Sequence, residues 1–236
     1  MNFLKCLLNG IFREAGLKMM TTNPKDRIEW LNARINGIGA SEAAAVVGMS
    51  PYKSNTELWE EKTGKRKAPD ISDKPYVQYG KEAEKHLRAL FALDFPQYQV
   101  DYDEFGMIRN CSHFPWAFAT LDGTLTERKT SRKGILEIKT TEIMRAGQWD
   151  EWNDRIPQHY YIQVIHQLLA TGYSFAWLKA QIKYTDKSGV KQAAIRHYYI
   201  ERSNVEADIK WLAEHEKVFW DCVIKNKRPA LILPEI

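Results

Sequence analysis

Cysteine is scarce in this chain and follows no pattern: three residues in 236, Cys6, Cys111 and Cys222, odd in number and far apart. No CxxC pair and no Cys/His spacing suited to zinc is present, so neither a disulfide framework nor a zinc-stapled fold is indicated, and a reducing cytoplasm suits the thiols. Long apolar runs are missing as well. The run near the start, Asn2 to Phe12, is broken by Lys5 and followed by Arg13, Glu14 and Lys18. It falls short of the roughly 20 residues of a membrane span and has no clear small-residue cleavage site, which leaves an amphipathic extension, with Met19 or Met20 as an alternative start. Repeats, low-complexity tracts and polybasic tails are absent. The net charge of +4 is a mild basic excess that permits nucleic-acid binding without showing it, because local clustering matters more than the total.

A chain of this length buries a substantial core. The reading is an N-terminal extension over residues 1–22 and a single domain over 23–236.

Two stretches concentrate the chemistry. Trp116-Ala117-Phe118-Ala119-Thr120-Leu121-Asp122-Gly123 and Gly134-Ile135-Leu136-Glu137-Ile138-Lys139-Thr140-Thr141 each read as an apolar strand carrying a carboxylate where burial is costly. Such a carboxylate requires a positive partner, a side chain or a metal ion. The period-2 geometry of a strand sets Glu137 and Lys139 on one face and Ile138 on the other. Gly123 allows a turn after Asp122, and the charged segment Thr126 to Gly134 closes a hairpin that brings Asp122 beside Glu137. Two carboxylates and an ammonium at one spot suit a Mg²⁺-dependent phosphodiesterase, in which the lysine orients a water or, with a depressed pKa, acts as its base. An ion pair across a hairpin is the competing explanation, since D…ExK is a short pattern.

The rest of the chain supplies the setting. A helix is predicted from Lys25 to Ile35, with Ile28, Trp30 and Leu31 toward a core, followed by a flexible Asn36-Gly37-Ile38-Gly39 turn and a small-residue helix from Ala40 to Val47 that Gly48 stops. Arg34 and Ser41 flank that turn and can meet on one anion, or Ser41 simply caps its helix. Ser54-Asn55-Thr56-Glu57 is a capping box opening a third helix that ends at Gly64, with Lys62, Lys65, Arg66 and Lys67 as a basic loop. Tyr76 to Asp94 is a long amphipathic helix, with Leu87, Leu90 and Phe91 inward, Lys81, Lys85 and Arg88 outward, and Glu84 along its length. Strands follow over Gln97 to Asn110, then the two acidic strands. A helix runs from Pro157 to Thr171, carries Gln163 and stops at Gly172. A hairpin, Tyr173–Tyr184 and Val190–Glu201, and a closing helix from Asn204 to Asn226 complete an α/β arrangement with a mixed central sheet.

Several of these segments together resemble a known family. They are Gly37-Ile38-Gly39-Ala40-Ser41-Glu42, Gly48-Met49-Ser50-Pro51-Tyr52-Lys53, Glu57-Leu58-Trp59, Gly80 with Glu84, Leu121-Asp122-Gly123, Leu136-Glu137-Ile138-Lys139-Thr140, and Gln163-x-x-His166-Gln167-Leu168. In this order, from about Asp26 to Gly172, they are similar to the YqaJ viral recombinase family, relatives of phage lambda exonuclease. The resemblance implies a PD-(D/E)xK nuclease core, a mixed central sheet flanked by helices. It implies an exodeoxyribonuclease that uses Mg²⁺, with Mn²⁺ as a substitute, and degrades linear double-stranded DNA 5′→3′ to leave 3′ single-stranded tails for phage-type recombination.

By the same resemblance Asp122, Glu137 and the Ile138 carbonyl hold the metal, Lys139 positions or activates the water, and Glu84 and Gln163 complete the catalytic set. Arg34, Ser41 and Thr120 match positions around the 5′-phosphate. Leu121 replaces the proline of the motif's name, and Ile165 stands where many relatives carry a second glutamine. A ring-shaped homotrimer, a single-strand annealing partner of the RecT or Bet kind, and a place in the bacterial host's cytoplasm are further implications. An interface could draw on apolar residues in Trp149 to Ile156 or the terminal helix, and core packing explains those residues equally well. A structure-specific or restriction-type endonuclease would use the same Asp122, Glu137 and Lys139, and a non-catalytic DNA-binding module would not need the convergent carboxylates.

Overall fold

The structure, a computed structural model, describes residues 19–22, 27–110 and 112–233, with the side chains of 19–22 and Asn110 left aside. The Asn2 to Phe12 run, Cys6, Cys111 and the expected helix start at Asn23 to Asp26 lie outside the described residues.

Two sheets carry the architecture. The larger has five strands in the order β3 (Tyr98–Asp101), β6 (Gly123–Glu127), β7 (Lys133–Ile143), β8 (Phe175–Thr185) and β9 (Lys191–Glu201). It is mixed, as expected: β7 and β8 run parallel and the other neighbours antiparallel. The parallel pair needs a crossover between its strands. That crossover is α5 (Gln158–Thr171), reached through a 3₁₀ turn at Ala146–Glu151 and ended by Gly172 at φ 67°, a left-handed position that favours glycine.

A second, four-stranded sheet was not legible beforehand. It orders β1 (Met19–Thr22), β4 (Met107–Asn110), β5 (Ala117–Ala119) and β2 (Ile38–Gly39). Its existence corrects two expectations. Trp116 to Asp122 is not one strand: β5 belongs to the small sheet, the chain leaves it at Thr120, and β6 begins the return through the large sheet at Gly123. Nor is Asn36 to Gly39 a flexible turn, because Ile38 and Gly39 pair in parallel with Ala117 and Phe118. A Cβ on Gly39 would lie 2.8 Å from the Phe118 ring, so glycine here permits close approach rather than mobility.

Helices cover both faces of the large sheet. On one face α5, α2 (Ala40–Val46) and α6 (Glu206–Ile224) enclose the main core, which includes Ile135, Ile165, Leu168, Leu178, Leu212 and Trp220. On the other, α4 (Pro75–Asp94) lays Leu87 and Phe91 against Leu136, Ile138 and Phe175. Strand alternation explains the division, since odd-numbered residues of β7 face α5 and even-numbered ones face α4. Leu90, expected inward, is 47 % exposed because only a narrow stripe of α4 meets the sheet.

Two further expectations fail for local reasons. Helix α1 (Arg27–Ile35) contains no buried residue; Ile28 and Leu31 face outward, and Trp30 instead stacks on the Arg34 guanidinium at 4.6 Å. For the Trp149 to Ile156 segment, of the two explanations, the structure displays core packing: Trp152 is buried and Trp149 and Ile156 pack against the core. Helix α3 (Asn55–Lys62) begins with the expected capping box, Ser54 and Glu57 bonding each other's backbone N–H. Its last residue, Lys62, belongs to no basic loop: it is buried against Glu42 at 2.7 Å and donates to the Arg34 carbonyl.

Candidate active site

Strand β7 outruns its neighbour β6. Leu136 pairs with Gly123 at the start of β6, so beyond it residues 137–143 keep β8 on one edge and, among the described residues, have no strand on the other. Asp122 fills the gap: its Oδ2 accepts the Ile138 N–H at 2.7 Å. N–H and C=O of one strand residue project to the same edge, so the Ile138 carbonyl also points to the Asp122 side, free of a ladder partner. The sheet-to-sheet passage at Thr120 to Asp122 thus sets a carboxylate against an open strand edge.

Glu137 is 2 % exposed. Its Oε1 accepts from Lys139 Nζ at 2.6 Å and from Gln163 Nε2 at 2.6 Å, and its Oε2 accepts from Gln167 Nε2. The positive partner that its burial demanded is therefore Lys139, two residues along the same face, as expected.

Glu84, on α4, completes an acidic group. Burial, then the charge of Glu137, pushes its carboxyl above the usual range, and burial with Glu137 and Glu84 pushes Asp122 well above it. Buried carboxylates set beside other acidic groups are short of positive charge, so the donor set fits a hard divalent cation. Among the described residues, no three acidic, His or Cys side chains converge closely enough to hold an ion unaided. Two carboxylates, the Ile138 carbonyl and water are what the geometry offers.

Lys139 stands between two carboxylates. Burial opposes its charge, but Glu137 and Asp122 outweigh burial and hold its pKa above the ordinary lysine value. With both carboxylates bare it is held as an ammonium, which can orient a water and donate to an oxygen.

All eight residues singled out by side chain share one cleft of about 140 Å³: Arg34, Ser41, Thr120, Glu84, Asp122, Glu137, Lys139 and Gln163, with Ile138 and Ala40. Arg34 lies between the rings of Trp30 and Phe118, 4.6 and 5.4 Å from their centroids, and donates to Ser41 Oγ at 3.3 Å. The neighbouring Glu42 receives the Gly39 N–H at 2.9 Å as well as Lys62, which locks the β2–α2 corner that presents Ser41.

Sequence reasoning missed two participants. Arg88, assigned outward, reaches the backbone carbonyl of Asp122 and lies 3.6 Å from the centroid of Tyr102; its position one helical turn after Glu84 was the available signal. Gln167 was quoted only as part of a motif, yet it is the fully buried residue that bonds Glu137. It lies one turn after Gln163, whereas Ile165 turns into the main core.

Among the described residues no helix is long and apolar enough to cross a membrane. The chain's sequence and fold also align with known proteins. It is 29 % identical over 211 residues to the uncharacterized protein YqaJ of Bacillus subtilis (strain 168), covering 87 % of this chain and 59 % of that one, so the chain spans well under the full length of that relative. The fold matches the crystal structure of an alkaline exonuclease, LHK-Exo, from Laribacter hongkongensis, with a TM-score of 0.62, 21 % identity, and coverage of 84 % of this chain and 93 % of that one. The structure of LHK-Exo in complex with dAMP matches with a TM-score of 0.57 and 20 % identity over 85 % and 96 % of the two chains. The architecture is accordingly a PD-(D/E)xK core. Residues 29–174 match the YqaJ-like viral recombinase domain, a span that contains every residue of the cleft, and the chain belongs to that family.

Proposed function

We propose that the protein is a Mg²⁺-dependent exodeoxyribonuclease that degrades linear duplex DNA 5′→3′ and leaves 3′ single-stranded tails for phage-type recombination. One observation carries the reading: a cation-seeking acidic group and an anion-seeking pair, Arg34 with Ser41, occupy the same 140 Å³ cleft. A hydrolase acting within a chain needs the first. Only one that recognises a chain end gains from the second, because a terminal phosphate carries more charge and more free oxygens than an internal diester. The family membership and the exonuclease fold support the same reading.

Asp122, Glu137 and the Ile138 carbonyl are the groups that would hold the ion. Bound there, Mg²⁺, or Mn²⁺ in its place, polarises a phosphoryl oxygen and lowers the pKa of a water. Glu84 adds negative charge at the same place. Lys139 positions or activates the attacking water. Gln163 holds Glu137 from the cleft side, and Arg34, Ser41 and Thr120 receive the 5′-phosphate and fix the register of the strand.

The reading extends to a homotrimer, an annealing partner of the RecT or Bet kind, and the cytoplasm of a bacterial host. The exposed Val218 and Ile224 of α6 offer apolar surface for an oligomer. Cross-linking and light scattering test the trimer separately from activity. The function itself is tested with a linear duplex labelled at one 5′ end, a second labelled at a 3′ end, and a closed circle, each with Mg²⁺ or with chelator. Early release of the 5′ label, dependence on the ion and an intact circle are expected. Cutting of the circle would favour the endonuclease reading instead.

A further inference from the structure

Glu137 is gripped from two sides. Oε1 is held by Lys139 and Gln163, both lining the cleft, whereas Oε2 is held by Gln167, which is fully buried and does not line it. The carboxylate therefore has an outer and an inner oxygen. Gln163 and Gln167 are one helical turn apart on α5 and so lie on the same face, one above the other, which is why two amides can reach a single carboxylate.

Gln167 is a poor choice as packing. Its Oε1 has no hydrogen-bond partner among the described residues, and a buried amide carbonyl left unpaired carries a penalty that an aliphatic or thioether side chain would avoid. Turning the amide over would set its carbonyl against the carboxylate, oxygen to oxygen. Among the described residues the only polar group that the side chain serves is Glu137. Of its buried neighbours on the helix Val164, Ile165, Leu168 and Leu169 are apolar, while the polar ones, His166 and Thr171, are each hydrogen-bonded to groups other than Glu137.

We propose that Gln167 is a positioning residue for the cation site: by holding the inner oxygen of Glu137 it fixes the carboxylate plane, so that only the outer oxygen is presented to a divalent cation in the cleft. The inference rests on the metal-dependent reading above. A group of this kind acts on ion affinity through its ligand, and removing such partners typically weakens metal binding about 10- to 100-fold.

The test is a direct titration of the DNA-free protein with Mn²⁺, followed by calorimetry or by the electron paramagnetic resonance signal of free Mn²⁺, in wild type, Gln167→Met and Asp122→Asn. Methionine keeps the volume and removes the amide. The expected result is Mn²⁺ binding weakened about 10- to 100-fold in Gln167→Met, in a protein that still folds but melts lower when metal-free, because the inner oxygen of Glu137 loses its donor. Should Gln167→Met fold poorly, Gln167→Asn, polar but too short to reach Glu137, carries the same expectation for Mn²⁺. Unchanged affinity in the folded variant overturns the inference while leaving the site intact, provided that Asp122→Asn lowers affinity. If wild type binds no Mn²⁺, the metal-dependent reading itself falls, and this inference with it.

Discussion

Glu137 is 2 % exposed in the middle of a five-stranded sheet, and its three hydrogen-bond donors come from β7 and α5. Arg34, by contrast, rides on a helix with no buried residue, and its partner Ser41 is exposed. The acidic half of the cleft is thus rooted in the core and the anion half is laid on the surface, held by ring stacking and by the Glu42–Lys62 pair. The difference follows from what each must do. Hydrolysis needs ligands held within fractions of an ångström, which a packed sheet provides. Recognition of a terminal phosphate needs charge and reach, which a surface arginine provides. Changes in the first half should therefore cost rate, and changes in the second should cost selectivity.

The largest effect belongs to the carboxylates. Asp122→Ala or Glu137→Ala should abolish Mg²⁺-dependent cleavage while the protein stays folded and still binds DNA in part, because removing one of a crowded set relieves repulsion. Cleavage and thermal melting measured on the same preparations check this. Near-normal nuclease activity in either variant would break the comparison at its root.

Lys139→Ala comes next. Loss of a group that positions the water or donates a proton typically costs about 10²–10⁴-fold in rate. DNA affinity should change far less, since one lysine adds little among many phosphate contacts. Single-turnover rates set beside filter-binding constants separate the two; equal losses would make Lys139 an ordinary phosphate contact.

A third prediction concerns what joins the halves. His166 is completely buried on α5, between the two glutamines that face Glu137. Its Nδ1 meets Glu216 at 2.6 Å, its Nε2 donates to the Phe118 carbonyl at 3.0 Å, and Phe118 is the ring beneath Arg34. Trp116 Nε1 donates to the second Glu216 oxygen at 3.1 Å. His166→Leu leaves Glu216 buried without its charge partner, a change that costs about 3–5 kcal/mol, and His166→Leu with Glu216→Leu should recover most of that loss. Burial opposes the His166 charge, but Glu216 outweighs it and holds the pKa above the ordinary 6.5. The sign follows: the pair's contribution is full below pH 6.5 and is lost as pH rises through the elevated native value. Denaturant melts across that range should show the decline in wild type and its absence in the double variant.

The sequence made the rooted half legible and the surface half only in part. Period-2 alternation was enough to set Glu137 beside Lys139, and a charged turn was enough to bring Asp122 across from them, because both are short-range rules of a hairpin. The second sheet was hidden because β2 and β5 are two and three residues long and pair in parallel across 79 positions, which no local pattern reports. Arg34 and Ser41 lie within hydrogen-bond distance, but not across the flexible turn expected between them: that segment includes a buried strand packed against Phe118. Burial was misjudged on α1, where an amphipathic pattern carries Ile28 and Leu31 toward solvent. Gln167 escaped notice since nothing in a helical run of apolar residues says which carboxylate a buried amide will meet.

The claim that the two halves form one site for a DNA end rests most directly on Arg34. The measurement is the ratio of initial rates on 5′-phosphorylated and 5′-hydroxyl linear duplex, in wild type and in Arg34→Ala. Charge-assisted bonds from a guanidinium to phosphate contribute about 1.5–3 kcal/mol, so wild type should favour the phosphorylated end, and the variant should narrow that preference by roughly 10- to 100-fold with its Mg²⁺ dependence intact. An unchanged ratio in the variant, whatever happens to the absolute rates, would contradict the account.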